Sequence, residues 1–193
     1  SGPAWKKYFI STVQFIKRSN LRSIVFISGG YALTPPHLVK SFAKNIALLN
    51  QLGMKVIIVH GGGPQIENQL RKKKIKNEEY QGLRVTTKQI LSVVKTVLAN
   101  DLNKLISNEI TKYGGKPKRF DGIRQKIINS KIAMNGNIGF VGEPKKINKS
   151  LIQAALGKNQ IPVIAPLGYD SNKNTLNINA DTAAAFIAET VKA

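Results

Sequence analysis

The hydrophobic pattern of this chain changes period several times. Ser23 to Ile27 and Val56-Ile57-Ile58-Val59 are short, continuous and mostly β-branched apolar runs. Such runs read as strands buried on both faces, as in a parallel sheet. Each ends in glycine: Gly29-Gly30 after the first, Gly61-Gly62-Gly63 after the second. Between them Val39, Phe42, Ala43, Ile46 and Leu49 recur with helical spacing. Pro35 and Pro36 mark the start of that helix and Gly53 its stop. Strand, helix, strand in this order predicts a parallel pair with a right-handed crossover.

The pattern continues in the same style. Pro64 suits the first position of a helix, where a missing N–H costs nothing. Gln81 to Thr86 reads as a loop. Thr86 or Thr87 can cap the helix that follows, with Ile90, Val93, Val94, Val97 and Leu98 inward. A second helix is expected from Leu102 to about Lys112, ending at Gly114-Gly115. Lys131 to Met134 and Ile138 to Val141, joined by Asn135-Gly136, predict a β-hairpin. A helix starting at Asn148 or Ser150 turns Leu151, Ile152, Ala155 and Leu156 inward. Gln160 to Pro166 is a strand, with prolines suited to its ends. Leu176 to Asn179 is a short strand or turn, and Asp181 starts a last helix. At the front, Trp5, Phe9, Val13 and Ile16 describe a helix with a wide aromatic face, residues 1–20, suited to docking on its own core or on another subunit. The fold class is α/β, a mostly parallel sheet sandwiched by helices, with a β-hairpin lid.

The two glycine turns carry the candidate chemistry. A strand, a glycine turn and a helix start present unpaired N–H groups and the positive end of a helix dipole above the strand's carboxyl end. Two such turns side by side would hold an anion. The spacing is neither the dinucleotide fingerprint nor a Walker loop. Arg84, just before a helix and beside glycine loops, suits two-point capture of a carboxylate. Asp181, at a helix start, reads alone as a cap.

Composition narrows the picture. A chain of 193 residues with 42% hydrophobic residues can bury one sizeable core. It has no cysteine, which excludes disulfides, thiolate metal sites and cysteine nucleophiles. No apolar run approaches the roughly 20 residues of a membrane span. The net charge of +20 raises a nucleic-acid partner as a reading. Against it, the cations are nearly all lysines spread along the chain. The aromatics, 7% of residues, are not interleaved with them. The charge reads mainly as a solvated surface.

The order of these segments resembles the acetylglutamate kinases of the amino acid kinase superfamily, over about residues 21 to 193. The resemblance rests on five segments: the strand ending in Gly29-Gly30, His60-Gly61-Gly62-Gly63-Pro64-Gln65, Gly82-Leu83-Arg84-Val85-Thr86, Gly139-Phe140-Val141-Gly142 and Asn177-Ile178-Asn179-Ala180-Asp181. It implies a three-layer αβα fold and phosphorylation of the side-chain carboxylate of N-acetyl-L-glutamate by ATP with Mg2+, in arginine biosynthesis, in the cytoplasm. By resemblance, Gly29, Gly30, Gly61 and Gly62 offer N–H groups to the phosphoryl group and the attacked carboxylate. Arg84 holds the α-carboxylate and Asn177 binds near it. Asp181 orients the groups of the site, and the hairpin around Asn135-Gly136 lies over the substrate. Residues 21–193 would be the amino-acid-substrate domain. The front helix is similar to an extension that links dimers into hexamers, so a dimer or hexamer is implied.

Three departures stand out. The family carries a phosphoryl-stabilising Lys two residues before Gly-Gly, and here that position is Ile27. A Ser-Gly-Lys-Asp-Gly segment is reduced to Phe120-Asp121-Gly122. The nucleotide-binding half, with a second catalytic Lys, would follow residue 193. Little kinase activity is therefore expected of this chain. A rival expectation is a non-catalytic regulatory domain, as in acetylglutamate synthases. A nucleic-acid binder is the lesser alternative.

Overall fold

The computed structural model describes residues 23–193; the expected front helix lies outside the described residues. The first apolar run forms β1 (Ile24–Ser28), followed by a 3-10 turn (Gly30–Leu33) and α1 (Pro36–Gln51). The second forms β2 (Val56–His60), every residue buried, and leads into α2 (Gly63–Lys72). Gly62 is the N-cap, so Pro64 is the second helical residue rather than the first. The stretch expected as a loop is a tight hairpin of β3 (Glu79–Tyr80) and β4 (Leu83–Arg84). Gln81 and Gly82 both take positive φ, as a two-residue primed turn requires.

The two helices expected next are one continuous rod. α3 (Lys88–Lys95), capped by Thr87, runs through a π-helical stretch (Thr96–Leu102) into α4 (Asn103–Lys112). After it come β5 (Pro117–Phe120), β6 (Ile128–Ile132), β7 (Gly142–Ile147), α5 (Lys149–Gly157), β8 (Ile161–Ile164), β9 (Leu167–Tyr169), β10 (Thr175–Asn177) and α6 (Ala180–Val191). The caps of α5 and α6 are Asn148 and Asn179, so Asp181 is a first-turn residue and not a cap. Leu151, expected inward on α5, is 36% exposed.

The main sheet is parallel, in the order β1-β2-β8-β5. Pro162 is tolerated inside β8 because pairing with β2 begins only at Val163. Side chains alternate across this sheet. Val56, Ile58, Ile161 and Val163 pack with α1, α3 and α4, while Ile57, Val59, Phe120 and Ile164 pack with α5 and α6. The result is three layers, α on β on α, as the apolar runs require. A second sheet, β10-β9-β6-β7, is mixed. No helix among the described residues is long and apolar enough to cross a membrane.

The expected lid hairpin exists with different strands. β6 pairs with β7, Ala133 N–H to Val141 O at 2.8 Å extends that pairing by one bond, and residues 134–140 form the connection. Met134 and Asn135 both take the left-handed region, inside a 3-10 turn. Ala133, Ile138 and Val141 then bury against Leu83, Val85 and Met134 as a small separate cluster. Burying that cluster outweighed the local Asn-Gly turn preference. The connection is stitched to the body by Phe140 N–H to Thr86 O (2.8 Å), Thr86 N–H to Ile138 O (2.9 Å) and Asn177 N–H to Phe140 O (2.9 Å).

His60 closes β2 and is wholly buried. Burial pushes its pKa down to about 4, partly offset by the hydrogen bond to the Gly61 carbonyl. The unfolded chain takes up this proton near the ordinary value of 6.5. Stability from this group is therefore fully present above that value and is lost as pH falls towards 4. The expected loss is about 3 kcal/mol. Urea denaturation at pH 7 and pH 4.5 should show it, and His60→Gln should flatten the difference.

Candidate functional site

At the carboxyl ends of β1 and β2 the two glycine turns face each other. Gly61 N–H donates to Ser28 O at 2.8 Å, and the Gln65 amide donates to Gly30 O at 2.9 Å. A Cβ on Gly30 would lie 2.5 Å from Pro64 Cδ, and one on Gly62 would lie 2.7 Å from both Leu98 and Leu102. Side chains at either position would push the turns apart. The N–H groups of Gly29, Gly30, Gly62 and Gly63 have no partner among the described residues. Four free amides thus cluster at two strand ends, two of them opening α2, whose dipole adds positive potential. Gly61 departs from the expectation, because its N–H is already committed to Ser28.

These turns form one wall of an open cavity of about 320 Å³. That size suits a small metabolite. Arg84, Asn177 and Asp181 line the same cavity, so every predicted site residue is brought together there, Ile27 included. Phe120, Asp121 and Gly122 do not line it. Asp121 is instead a structural turn. Its buried carboxylate accepts from Ile123 N–H, Arg124 N–H and the Arg124 guanidinium.

Arg84 comes from the β3–β4 hairpin and is half-buried. Burial lowers its pKa from the ordinary value, and the carboxylates of Glu79 and Glu67 oppose that shift. Its guanidinium donates to Asn77 Oδ1, which fixes its direction. Leu83, Val141 and Ile178 add an apolar surface beside it. A cation next to apolar wall and free amides fits an anion that carries methylene or methyl groups. Asp181 is exposed at the first turn of α6, without a side-chain partner among the described residues. Among the described residues no cluster of His, Cys, Asp or Glu is suited to hold a metal. The free amides suit a terminal phosphoryl group, and among the described residues Arg84 is the single cation lining the cavity.

Thr86 was legible in the sequence only as an alternative cap, and Thr87 is the cap. Thr86 is wholly buried and joins three parts of the site. Its hydroxyl donates to Arg84 O at 2.9 Å and accepts from Asn177 Nδ2 at 3.1 Å. Its backbone holds the 133–141 connection through Ile138 and Phe140. The Asn177 carbonyl oxygen stays available to accept a hydrogen bond. A hydroxyl joining residues so far apart in sequence leaves no periodic trace.

Ile27, near the end of edge strand β1, lines the cavity and is 48% exposed. A branched apolar side chain half open to solvent beside four free amides has no packing explanation among the described residues.

The amino acid kinase family pattern matches residues 23–193. An acetylglutamate kinase of Psychrobacter cryohalolentis is 38% identical over 194 residues, covering 95% of this chain and 65% of the bacterial protein. This chain thus spans under two thirds of that relative's length. The smu.665 structure from Streptococcus mutans UA159 superposes with a TM-score of 0.80 at 29% identity, over 88% of this chain and 68% of that one. The N-acetylglutamate synthase of Neisseria gonorrhoeae, in its complex with coenzyme A and N-acetyl-glutamate, gives a TM-score of 0.82 at 18% identity, over 99% of this chain and 44% of that one. At that identity the likeness is one of fold alone. A parallel sheet with two interlocked glycine turns, a family pattern over the whole described region and relatives at this identity lead to one conclusion: the chain belongs to the amino acid kinase family.

Proposed function

We propose that residues 21–193 are the amino-acid-substrate domain of an acetylglutamate kinase-like protein, and that the cavity binds N-acetyl-L-glutamate. The observation that carries this reading is the convergence of Arg84, Asn177 and the free amides of two glycine turns on one small cavity. In the proposed pose the α-carboxylate lies on Arg84, and the acetamido N–H donates to the open Asn177 oxygen. The side-chain carboxylate points at the amides of Gly29, Gly30 and Gly62. Leu83, Val141 and Ile178 meet the methylenes and the acetyl methyl. ATP with Mg2+, where bound, supplies the phosphoryl group. This chain's own part is to hold the acceptor carboxylate and to offer amides to the phosphoryl oxygens. A homo-oligomer and a cytoplasmic, arginine-biosynthetic setting go with this reading.

Ile27 favours a second reading, an acyl-amino-acid binder with little phosphoryl transfer. Phosphoryl transfer between two anions relies on charge neutralisation. Among the described residues the cavity lining offers one cation, Arg84, against the acids Glu79 and Asp181. A cation expected at this strand position is replaced by a side chain that cannot neutralise anything.

Three outcomes follow. Calorimetric titration with N-acetyl-L-glutamate should give binding that Arg84→Ala weakens by about 2 kcal/mol, roughly thirtyfold. Arg84→Lys should recover part of it, since the ammonium loses the fork geometry. Equal heats for wild type and Arg84→Ala would overturn the pose. Thr86→Val removes the bridge while keeping the volume. It should weaken binding and cost about 1–3 kcal/mol in urea denaturation, because Asn177 Nδ2 is left unpaired. ADP release in the presence of N-acetyl-L-glutamate should be at least about a hundredfold slower than for an intact acetylglutamate kinase. Turnover at parity would overturn the second reading.

A further inference from the structure

Behind the second glycine turn, on the side away from the cavity, lies a polar network inside the core. His60 and Asn103 are both wholly buried. Asn103 Nδ2 donates to Val163 O at 2.9 Å and stands 3.2 Å from His60 Nε2. Asn103 Oδ1 accepts from Arg119 Nε at 2.9 Å. On the other ring edge, His60 Nδ1 stands 3.2 Å from the Gly61 carbonyl. A carbonyl only accepts, so Nδ1 carries the proton. Arg119 only donates, so the Asn103 oxygen must face it and the Asn103 NH2 must face His60. The remaining ring nitrogen, Nε2, is then a lone pair accepting from Asn103. One protonation state satisfies every atom, a neutral His60 with its proton on Nδ1.

The π-helical stretch explains how Asn103 arrives there. Asn103 N–H reaches back five residues to Leu98 O, so the helix carries an extra residue in this turn. Ala99 O, which an ordinary helix would offer to Asn103, accepts from the Arg119 guanidinium at 2.8 Å instead. The same stretch presses Leu98 and Leu102 on Gly62. The turn is therefore held at two adjacent residues, Gly61 through His60 and Gly62 through the leucines.

We propose that Asn103, His60 and Arg119 are positioning residues that fix the Gly61-Gly62 peptide, and through it the anion affinity of a cavity that none of them lines. The proposal rests on the reading of this turn as part of a ligand site. Arg119 is the charged group of the network. It reaches His60 only through Asn103, and no carboxylate is hydrogen-bonded within the network. Burial holds the His60 pKa low, which agrees with a neutral ring.

The test uses the 193-residue chain labelled with 15N. Long-range proton–nitrogen correlation should find His60 neutral at pH 7 with the proton on Nδ1. A proton on Nε2 would overturn the proposal. Asn103→Ala should displace the Gly61 and Gly62 amide resonances and weaken N-acetyl-L-glutamate binding about tenfold. Asn103→Asp can accept from both Arg119 and a protonated His60 Nε2, but it loses the donor to Val163 O. It should recover part of the affinity lost in Asn103→Ala and raise the His60 titration. A merely structural Asn103 would lower thermal stability in both variants and leave affinity and the amide resonances as they were, which would overturn the proposal. If wild type gives no heat with N-acetyl-L-glutamate, the ligand reading fails by itself. The amide shifts in Asn103→Ala then decide: displaced resonances support the positioning role and unmoved ones overturn it. If Asn103→Ala does not fold, the wild-type tautomer and the Asn103→Asp titration decide alone.

Discussion

The structure depends on how closely two backbone turns approach at the carboxyl ends of β1 and β2. Their hydrogen bond, Gly61 N–H to Ser28 O at 2.8 Å, is the last rung of the parallel ladder. Beyond it the strands have no further partners for each other. The amides of Gly29, Gly30, Gly62 and Gly63 are left over together. Unpaired amides are costly in a core and useful at an opening. The fold keeps the opening by placing glycine where Pro64 and Leu98 come within van der Waals contact. The cavity is thus a consequence of the sheet ending, and its affinity for anions a consequence of backbone left unpaired.

How much of this was legible in the sequence follows from the range of the interactions. β1, β2, α1 and α6 were readable because their signals are local: continuous apolar runs, proline starts, glycine stops and a 3.6-residue period. The cradle was readable because strand, glycine turn and helix start lie next to each other in the chain. Asn177 came from the family resemblance, and Arg84 from its place before a helix start beside glycine loops, a reading the resemblance strengthened. Most of the misses share one cause, a partner far away in the chain. Residues 133–141 follow a small hydrophobic cluster with Leu83 and Val85, about fifty residues earlier in the chain. α3 and α4 are fused because the helical hydrogen bonds continue through an extra residue, and no Gly or Pro interrupts them. Thr86 and Asn103 do their work through partners 91, 43 and 60 positions away. Such pairings leave no mark on a window of a dozen residues.

Electrostatics separates the surface from the site. The chain carries +20, yet among the described residues the cavity lining has Arg84 against Glu79 and Asp181. The global charge is therefore not focused on the site by its own side chains. It can raise the encounter rate of an anion through the long-range field, an effect that salt screens within about 10 Å at 0.1 M. Holding the anion falls to Arg84 and to amide dipoles. Dipoles are weaker than charges, but they are fixed, and fixed dipoles need no reorganisation when an anion arrives. Ile27 marks where this division of labour leaves a gap.

The two polar networks have different mechanical roles. Thr86 sits where the β3–β4 hairpin, β10 and the 133–141 connection meet, and each of its bonds reaches a segment that contributes to the cavity lining. Asn103 sits in the core and reaches β2, β5 and β8, three of the four strands of the main sheet. A shift at Thr86 would be absorbed by a hairpin and a loop with a small core of their own. A shift at Asn103 would have to move the main sheet, packed at crystal-like density, or leave wholly buried polar atoms unpaired. The arrangement therefore gives the site a rigid floor of amides and a roof that can adjust. That is a useful asymmetry for a cavity whose floor must meet a small charged group while its roof follows the acyl chain.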